Sequence, residues 1–431
     1  MKSENKFTIR GGKPLHGSIQ SSGAKNAALK MIAAACLTKE TITIHNVPHI
    51  QDVLTMLELL AGMGADISWS DSTTVSITCD SINPNNLDQA KIGNLRGTVV
   101  LIGPLCARFG SLRIHEPGGC VIGARPITTH IHALHSLGYT CSKQGKFYIF
   151  ESTEPKGSRI LLDEISVTTT ENALLAATCT PGITEIHLAA TEPEIANLID
   201  LLCAMGANIE GINTSIIRIR GATSLHGASA TVIPDRIEIG TFAIALAATH
   251  GSGTITNVIP NHLDNILNKF DRMGIHFSFK KPIGDTQTGD ELNDLIIESS
   301  HTYTSINFDT RPYPGFSTDL QSQMVVLLTQ TQGKSSIFET LFEGRLAYTK
   351  YLIEMGADIT IEGKHLITLR GPCQLKGVRI ETPDLRAGAA LVLAGLVAHG
   401  ETIVTQTQSI DRGYEQFDEK LKQLGADIKR D

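Results

Sequence analysis

Hydrophobic positions along the chain fall into a pattern that recurs. A run apolar on nearly every side comes first, as in NAALKMIAAACL, TVVLIGPLCARF, ALLAATC, FAIALAATH, MVVLLTQ and AALVLAGLVAHG. Such runs read as apolar helices. A turn then leads to a short β-rich run: TITIHNV, SLRIHEP, TEIHLAA, GTITNVI, SSIFETL or ETIVTQT. An amphipathic helix follows, and its last turn runs into a glycine within a shared signature. The signatures are AGMGADISW, HSLGYTCSK, CAMGANIEG, DRMGIHFSF, IEMGADITI and KQLGADIKR. Glycine at that point predicts a left-handed helix cap. A strand, usually alternating, closes the unit.

The signature glycines are Gly64, Gly138, Gly206, Gly274, Gly356 and Gly425, at spacings of 74, 68, 68, 82 and 69. That makes six units with a period of about 70, too long for the common solenoids. Each unit mixes strands and helices around one small core, which predicts an α/β (α+β) architecture. Six units divide into two groups of three. The midpoint, near residue 233, predicts domains 23–232 and 233–431. The widest spacing holds KKPIGDTQTGDELND, read as a surface loop.

The length of 431 residues suits two or more domains. A formal charge of -7 and 5% aromatic content argue against a nucleic-acid partner. The longest apolar run is too short to span a membrane. The N-terminus MKSENKFTIRGGK has no apolar leader, so the expected place is the cytoplasm. There, eight cysteines without a CxxC pair read as reduced thiols. Cys36, Cys106, Cys179 and Cys203 lie in apolar helical patterns and are expected to pack in the core.

The helix starts carry the first chemistry. They read Lys25–Asn26, Arg96, Thr170–Glu171–Asn172, Asp235–Arg236–Glu238, Thr318–Asp319 and Asp384–Arg386. Capping explains the Asp, Asn and Thr residues. It does not explain Lys25, Arg96, Arg236 and Arg386, because a cation at the positive end of a helix is unfavourable. Such cations point to an anion held there, phosphate or carboxylate.

A second pointer is HEPGGCVIGARP, which puts a thiol, Cys120, behind two glycines and five residues before Arg125. Other motifs fail. GKS at Gly333 lacks the upstream glycine of a P-loop. No glycine fingerprint for a dinucleotide opens a βαβ unit. His130, His132 and His135 are not spaced for one helix face, so a metal is not expected there.

The stretches SGAKNAAL, GPLCARFG, PGGCVIGARP, EPEIANLIDLLCAMGA, PDRIEIGTF, STDLQSQ, DLRAGAALVLAG and IDRGYE carry a resemblance over nearly the whole chain. The chain resembles the enolpyruvyl transferases, in the branch whose acceptor is UDP-N-acetylglucosamine. The resemblance implies two similar domains of three units each, an inside-out α/β barrel in each, with residues 1–22 packing on the second. It implies transfer of the enolpyruvyl group of phosphoenolpyruvate to the sugar 3'-hydroxyl, with release of phosphate and with no metal or organic cofactor. That is the first committed step of peptidoglycan synthesis. Small-molecule partners and a monomer or weak homo-oligomer are expected.

The resemblance also implies roles. Cys120, on a closing loop, would protonate the methylene carbon or form an adduct, and would be the target of fosfomycin. Neighbouring cations would favour its thiolate. Lys25, Arg125 and Arg412 would hold the phosphate and carboxylate of phosphoenolpyruvate. Arg96 and Arg345 match further members of this basic set, and the helix-start cations Arg236 and Arg386 are also expected to bind substrate. Asp319 would be the general base, within reach of the hydroxyl proton. Asp384 would assist proton transfer or order Lys25. Asn26 and Thr318 would contact substrate. So would Pro126, Ile127, Thr128 and Thr129 after the loop, together with Ser166, Val167 and Leu341.

The chain departs from the family on the nucleotide side. Thr128 and Thr129 stand where an aspartate is usual. Thr168 replaces a glycine, Glu164 replaces a lysine of some members, and Gly344 replaces an asparagine. An acidic residue beside a diphosphate repels it. These changes leave room for an enolpyruvyl transferase with another nucleotide acceptor, or for a silent paralogue that binds a nucleotide sugar. Retention of Lys25, Cys120, Asp319 and Arg412 speaks against the latter.

Overall fold

A computed structural model describes residues 5–118, 122–123, 125–281, 292–298, 300 and 302–431. Cys120 and most of the charged insertion lie outside the described residues. The chain divides into two compact units. One comprises Gly23–Cys120 and Arg125–Ile233, the other Met1–Ser22, Val121–Ala124 and Pro234–Asp431. We call them the N-terminal and C-terminal units.

Among the described residues the strands form six small sheets. In five of them a meander of antiparallel strands carries one parallel edge strand. Ala228–Thr231 runs parallel to Thr41–His45, Arg159–Leu161 to Ile183–His187, and Arg379–Glu381 to Glu401–Thr405. The chain start supplies two strands to the C-terminal unit. Lys6–Arg10 pairs antiparallel with both Glu401–Thr405 and Asp427–Arg430, and His16–Gln20 lies parallel to Ser252–Val258. Lys6–Arg10 and His16–Gln20 are therefore sheet members of that unit.

The apolar runs form the inner helices. Leu385–Val397 is buried from Leu385 to Leu396, and Arg236–Ala248 from Ile237 to Ala248. Lys25–Ala34 is buried from Ala27 onward. A helix with no polar face belongs inside, and the sheets cover these helices with alternating strands. The six signature glycines all take positive φ, from 77° at Gly274 to 108° at Gly64.

Three local expectations need correction. The helix expected to open at Thr170 starts earlier, at Val167, with Ser166 as its cap, so Thr170, Glu171 and Asn172 are fully buried inside it. The run after Arg96 begins as a 3-10 turn, Arg96–Leu101, before the α-helix Ile102–Phe109. Pro104 has no N–H to extend a helix back to Arg96. The N–H of Gly103 is taken by the Asn172 side chain at 2.6 Å. Finally, Cys36 and Cys106 are buried as expected, but Cys179 is half-buried and Cys203 exposed. Cys203 sits in the last turn of the amphipathic helix Pro193–Ala204, on its outer side.

Candidate active site

In the C-terminal unit the expected residues gather around Asp319. Ser317 caps the turn Thr318–Leu320, its hydroxyl accepting from the Asp319 N–H at 3.2 Å. This turn leads into the buried helix Gln321–Leu328. One Asp319 oxygen accepts from Arg345 Nη2. The other accepts from Arg386 Nε at 3.2 Å and lies 3.1 Å from Arg386 Nη2. Both arginine side chains are 4% exposed, while Asp319 is 28% exposed. The carboxylate is thus held by two buried arginines while part of it stays accessible. Thr318 completes the clamp: its hydroxyl donates to Glu339 at 2.9 Å and accepts from Arg345 Nε at 3.2 Å. Burial opposes the charge of Arg386, but Asp319 outweighs it and holds the guanidinium pKa above the usual range.

Asp384 caps the helix Leu385–Val397, accepting from the N–H groups of Arg386 at 2.9 Å and Ala387 at 3.1 Å. It thereby sets the start of the helix that delivers Arg386. Asp235 caps the helix Arg236–Ala248 in the same way, at 2.8 and 3.0 Å. Arg236 lies over the Tyr313 ring at 5.4 Å. Arg412 is half-buried after the short helix Gln408–Asp411, and Leu341 is exposed. Gly344 donates to the Ile122 carbonyl at 2.9 Å. A Cβ at Gly344 would meet that carbonyl at 2.9 Å, so glycine there admits a close approach.

In the N-terminal unit Lys25 opens the helix Lys25–Ala34, and its ammonium lies 2.5 Å from the Asp52 carboxylate. Asn26 follows, half-buried. Arg96 reaches the carbonyls of Pro117 and Pro126, each at 3.4 Å, and so touches both flanks of the thiol loop. Burial, and next the charge of Arg125, push its pKa down to about 10. Two guanidinium groups therefore crowd each other here.

Beyond the loop, Pro126 and Thr128 are exposed and Ile127 is buried. The hydroxyls of Thr129 and Ser166 each lie 2.9 Å from Thr169 Oγ1, which ties the helix Thr128–Ser136 to the start of Val167–Thr178. Val167 opens the latter helix. The Thr168 hydroxyl lies 3.3 Å from His130 Nε2, and His130 Nδ1 lies 2.9 Å from the Asn172 amide. Burial, helped by the charge of Arg96, pushes His130 down to about 3 and keeps it neutral. Thr168 is thus engaged within the protein, while Glu164 is exposed.

The structure also supplies one residue that the sequence pattern did not single out, Asp52, and a pairing of Asp319 that it did not foresee. Asp52 answers the unfavourable cation at Lys25, and Asp319 itself answers Arg386. Each was visible as an acidic residue at the start of an apolar helix. Which cation it would meet was not. Among the described residues no three His, Cys, Asp or Glu side chains are grouped to hold a metal. His132 instead pairs with Asp163 at 2.9 Å. No helix among the described residues is long and apolar enough to cross a membrane.

Comparison with known proteins adds sequence and fold relatives. A family model described as EPSP synthase (3-phosphoshikimate 1-carboxyvinyltransferase) matches residues 9–421. The UDP-N-acetylglucosamine 1-carboxyvinyltransferase of Magnetococcus marinus is 44% identical, over 99% of this chain and 99% of its own. That of Koribacter versatilis is 42% identical, over 99% of this chain and 96% of its own. Among solved structures, the enolpyruvyl transferase NikO from Streptomyces tendae matches with a TM-score of 0.87 at 23% identity, covering 99% of both chains. EPSP synthase from Acinetobacter baumannii matches with a TM-score of 0.73 at 18% identity, covering 99% of this chain and 100% of that one. These two likenesses support the fold.

Proposed function

The chain belongs to the EPSP synthase family and, within it, to the UDP-N-acetylglucosamine 1-carboxyvinyltransferases, and we propose that it carries out the reaction in that name. The enolpyruvyl group of phosphoenolpyruvate would pass to the 3'-hydroxyl of UDP-N-acetylglucosamine, and phosphate would leave. This is a step toward peptidoglycan.

The observation that carries the proposal is the Asp319 carboxylate, clamped by the buried Arg345 and Arg386 and itself partly exposed. Such a group suits general-base work on a hydroxyl. The oxygen adds to the central carbon of phosphoenolpyruvate as Asp319 takes its proton and the methylene carbon gains one from Cys120. Loss of phosphate and of a methyl proton then restores the double bond. Lys25, Arg125 and Arg412 would hold the phosphate and carboxylate, with Arg96 adding charge. Preorganised cations stabilise the changing charge at the tetrahedral intermediate. Asn26, Thr129 and Ser166 would contact the nucleotide sugar. With the Thr168 hydroxyl turned to His130, nothing favours a different acceptor.

Phosphate release from phosphoenolpyruvate tests the assignment, with UDP-N-acetylglucosamine, UMP, UDP and shikimate 3-phosphate as acceptors. Release should depend on UDP-N-acetylglucosamine. Equal release with shikimate 3-phosphate, or none with the nucleotide sugar, would contradict it.

A further inference from the structure

The apolar interior of the C-terminal unit holds a polar knot that the reaction above leaves unused. The helices Arg236–Ala248, Gln321–Leu328 and Leu385–Val397 pack on one another. Thr241 and Gln323 on the first two, and Tyr414 after the short helix Gln408–Asp411, are all fully buried or nearly so. Gln323 Nε2 donates to the Tyr414 hydroxyl at 3.1 Å and lies 3.2 Å from Thr241 Oγ1. The Tyr414 and Thr241 hydroxyls are 2.9 Å apart, and Thr241 donates to the Ile237 carbonyl at 2.8 Å. With the Thr241 proton used on that carbonyl, Tyr414 is the donor between the two hydroxyls. Gln323 Oε1 accepts from Ser322 at 2.9 Å, and Ser322 also reaches the Arg386 carbonyl at 3.3 Å.

This arrangement has a cost that packing alone does not require. A buried hydroxyl is unfavourable unless bonded, and phenylalanine would fill the same space. A satisfied buried network instead fixes one orientation. What it fixes is adjacent: the Arg386 guanidinium lies over the Tyr414 ring, 5.2 Å from its centre. A guanidinium on a ring face is attracted to it. The same guanidinium reaches Asp319 at 3.1 and 3.2 Å. The chain of contacts thus runs from Thr241 and Gln323 to Tyr414, to Arg386, to Asp319. It also gives a use to residues of STDLQSQ and IDRGYE that contact no proposed substrate.

We infer that Tyr414, held by Gln323 and Thr241, is a positioning residue that acts through Arg386 to orient the Asp319 carboxylate. The inference rests on Asp319 being the base. The test is steady-state kinetics of Tyr414→Phe, Thr241→Val, Arg386→Lys, the Tyr414→Phe/Arg386→Lys double variant and Asp319→Asn. Tyr414→Phe should lower kcat about tenfold, as misplacement of a reacting group does, with both KM values within about twofold. Thr241→Val should show the same split to a smaller degree, and it carries the test if Tyr414→Phe does not fold. In the Arg386→Lys background Tyr414→Phe should cost less than about twofold, because residues acting in one chain are not additive.

Full kcat in Tyr414→Phe, or a full additional tenfold loss in the double variant, would overturn the inference while leaving Asp319 as the base. Turnover close to the parent in Asp319→Asn would remove the base itself, and the inference with it.

Discussion

Two charged clusters, one in each unit, are built in opposite ways. In the C-terminal unit a carboxylate, Asp319, sits between two guanidinium groups, and every named partner is within 3.2 Å. In the N-terminal unit two guanidinium groups, Arg96 and Arg125, lie close together, and Arg96 falls to about 10 through burial and then the charge of Arg125. Opposite charges packed together immobilise a group. Like charges packed together raise the energy of the empty site, and an anion lowers it again. The first arrangement suits a catalytic group that must not move, the second a place where substrate supplies the missing charge.

Short of removing Asp319 itself, the largest expected effect comes from loosening the clamp. Arg345→Ala removes one of its two arms and should lower turnover about 100-fold, as displacement of a reacting group by an ångström does. It should also cost about 2 kcal/mol of stability, the scale of a hydrogen bond to a charged group. Phosphate-release kinetics and urea unfolding read the two effects. Unchanged turnover in a folded variant would mean that Arg386 holds Asp319 alone.

A smaller effect sharpens the contrast from the N-terminal side, where one buried carboxylate is not clamped. Glu171 is fully buried and 3.4 Å from Lys30, and neither of its oxygens has a hydrogen-bond partner. Burial raises its pKa to about 8 against the pull of Lys30, with Glu194 and Glu192 adding to the rise. The folded state therefore keeps a proton that the unfolded chain loses near the ordinary carboxylate range. Stability from this group is full at low pH and falls as pH rises toward 8, by roughly 2 kcal/mol between pH 6 and pH 8. Denaturant unfolding across that range should show the slope in the parent and a flatter line in Glu171→Gln. An equal slope in both would place the titrating group elsewhere.

Least in size is the response to an anion. Inorganic phosphate should stabilise the protein by about 1 kcal/mol at a few times its dissociation constant. Thermal unfolding should show the rise in the parent and lose it in Arg96→Ala and Arg125→Ala. A rise that persists in both would mean that the crowded guanidinium pair is not where the anion binds.

Much of the fold was legible because burial writes itself into the sequence. Helices with no polar face, Arg236–Ala248 and Leu385–Val397 among them, could only be inside. The glycine at each signature marked a left-handed cap that other residues fill poorly, as the φ of 104° at Gly356 shows. Less legible was the start of Val167–Thr178, because its interior carries Thr170, Glu171 and Asn172. These polar residues look like a helix cap until their burial is known.

The candidate site divides similarly. Unfavourable cations at Lys25 and Arg386 were visible as residue types in the wrong place. Their answers, Asp52 and Asp319, are 27 and 67 residues away, and only the fold sets those pairs. Tyr414 gave no signal beyond its motif, since an aromatic residue near an arginine in sequence is common.

The most direct measurement compares Asp319→Asn with Arg125→Ala, taking kcat and the KM for phosphoenolpyruvate of each. If Asp319 is the base and Arg125 helps to hold the anion, Asp319→Asn should lose about 1000-fold in kcat with KM within a few-fold. Arg125→Ala should raise the KM for phosphoenolpyruvate at least about tenfold. A KM defect in Asp319→Asn with kcat intact, or an unchanged KM in Arg125→Ala, would contradict this division of labour.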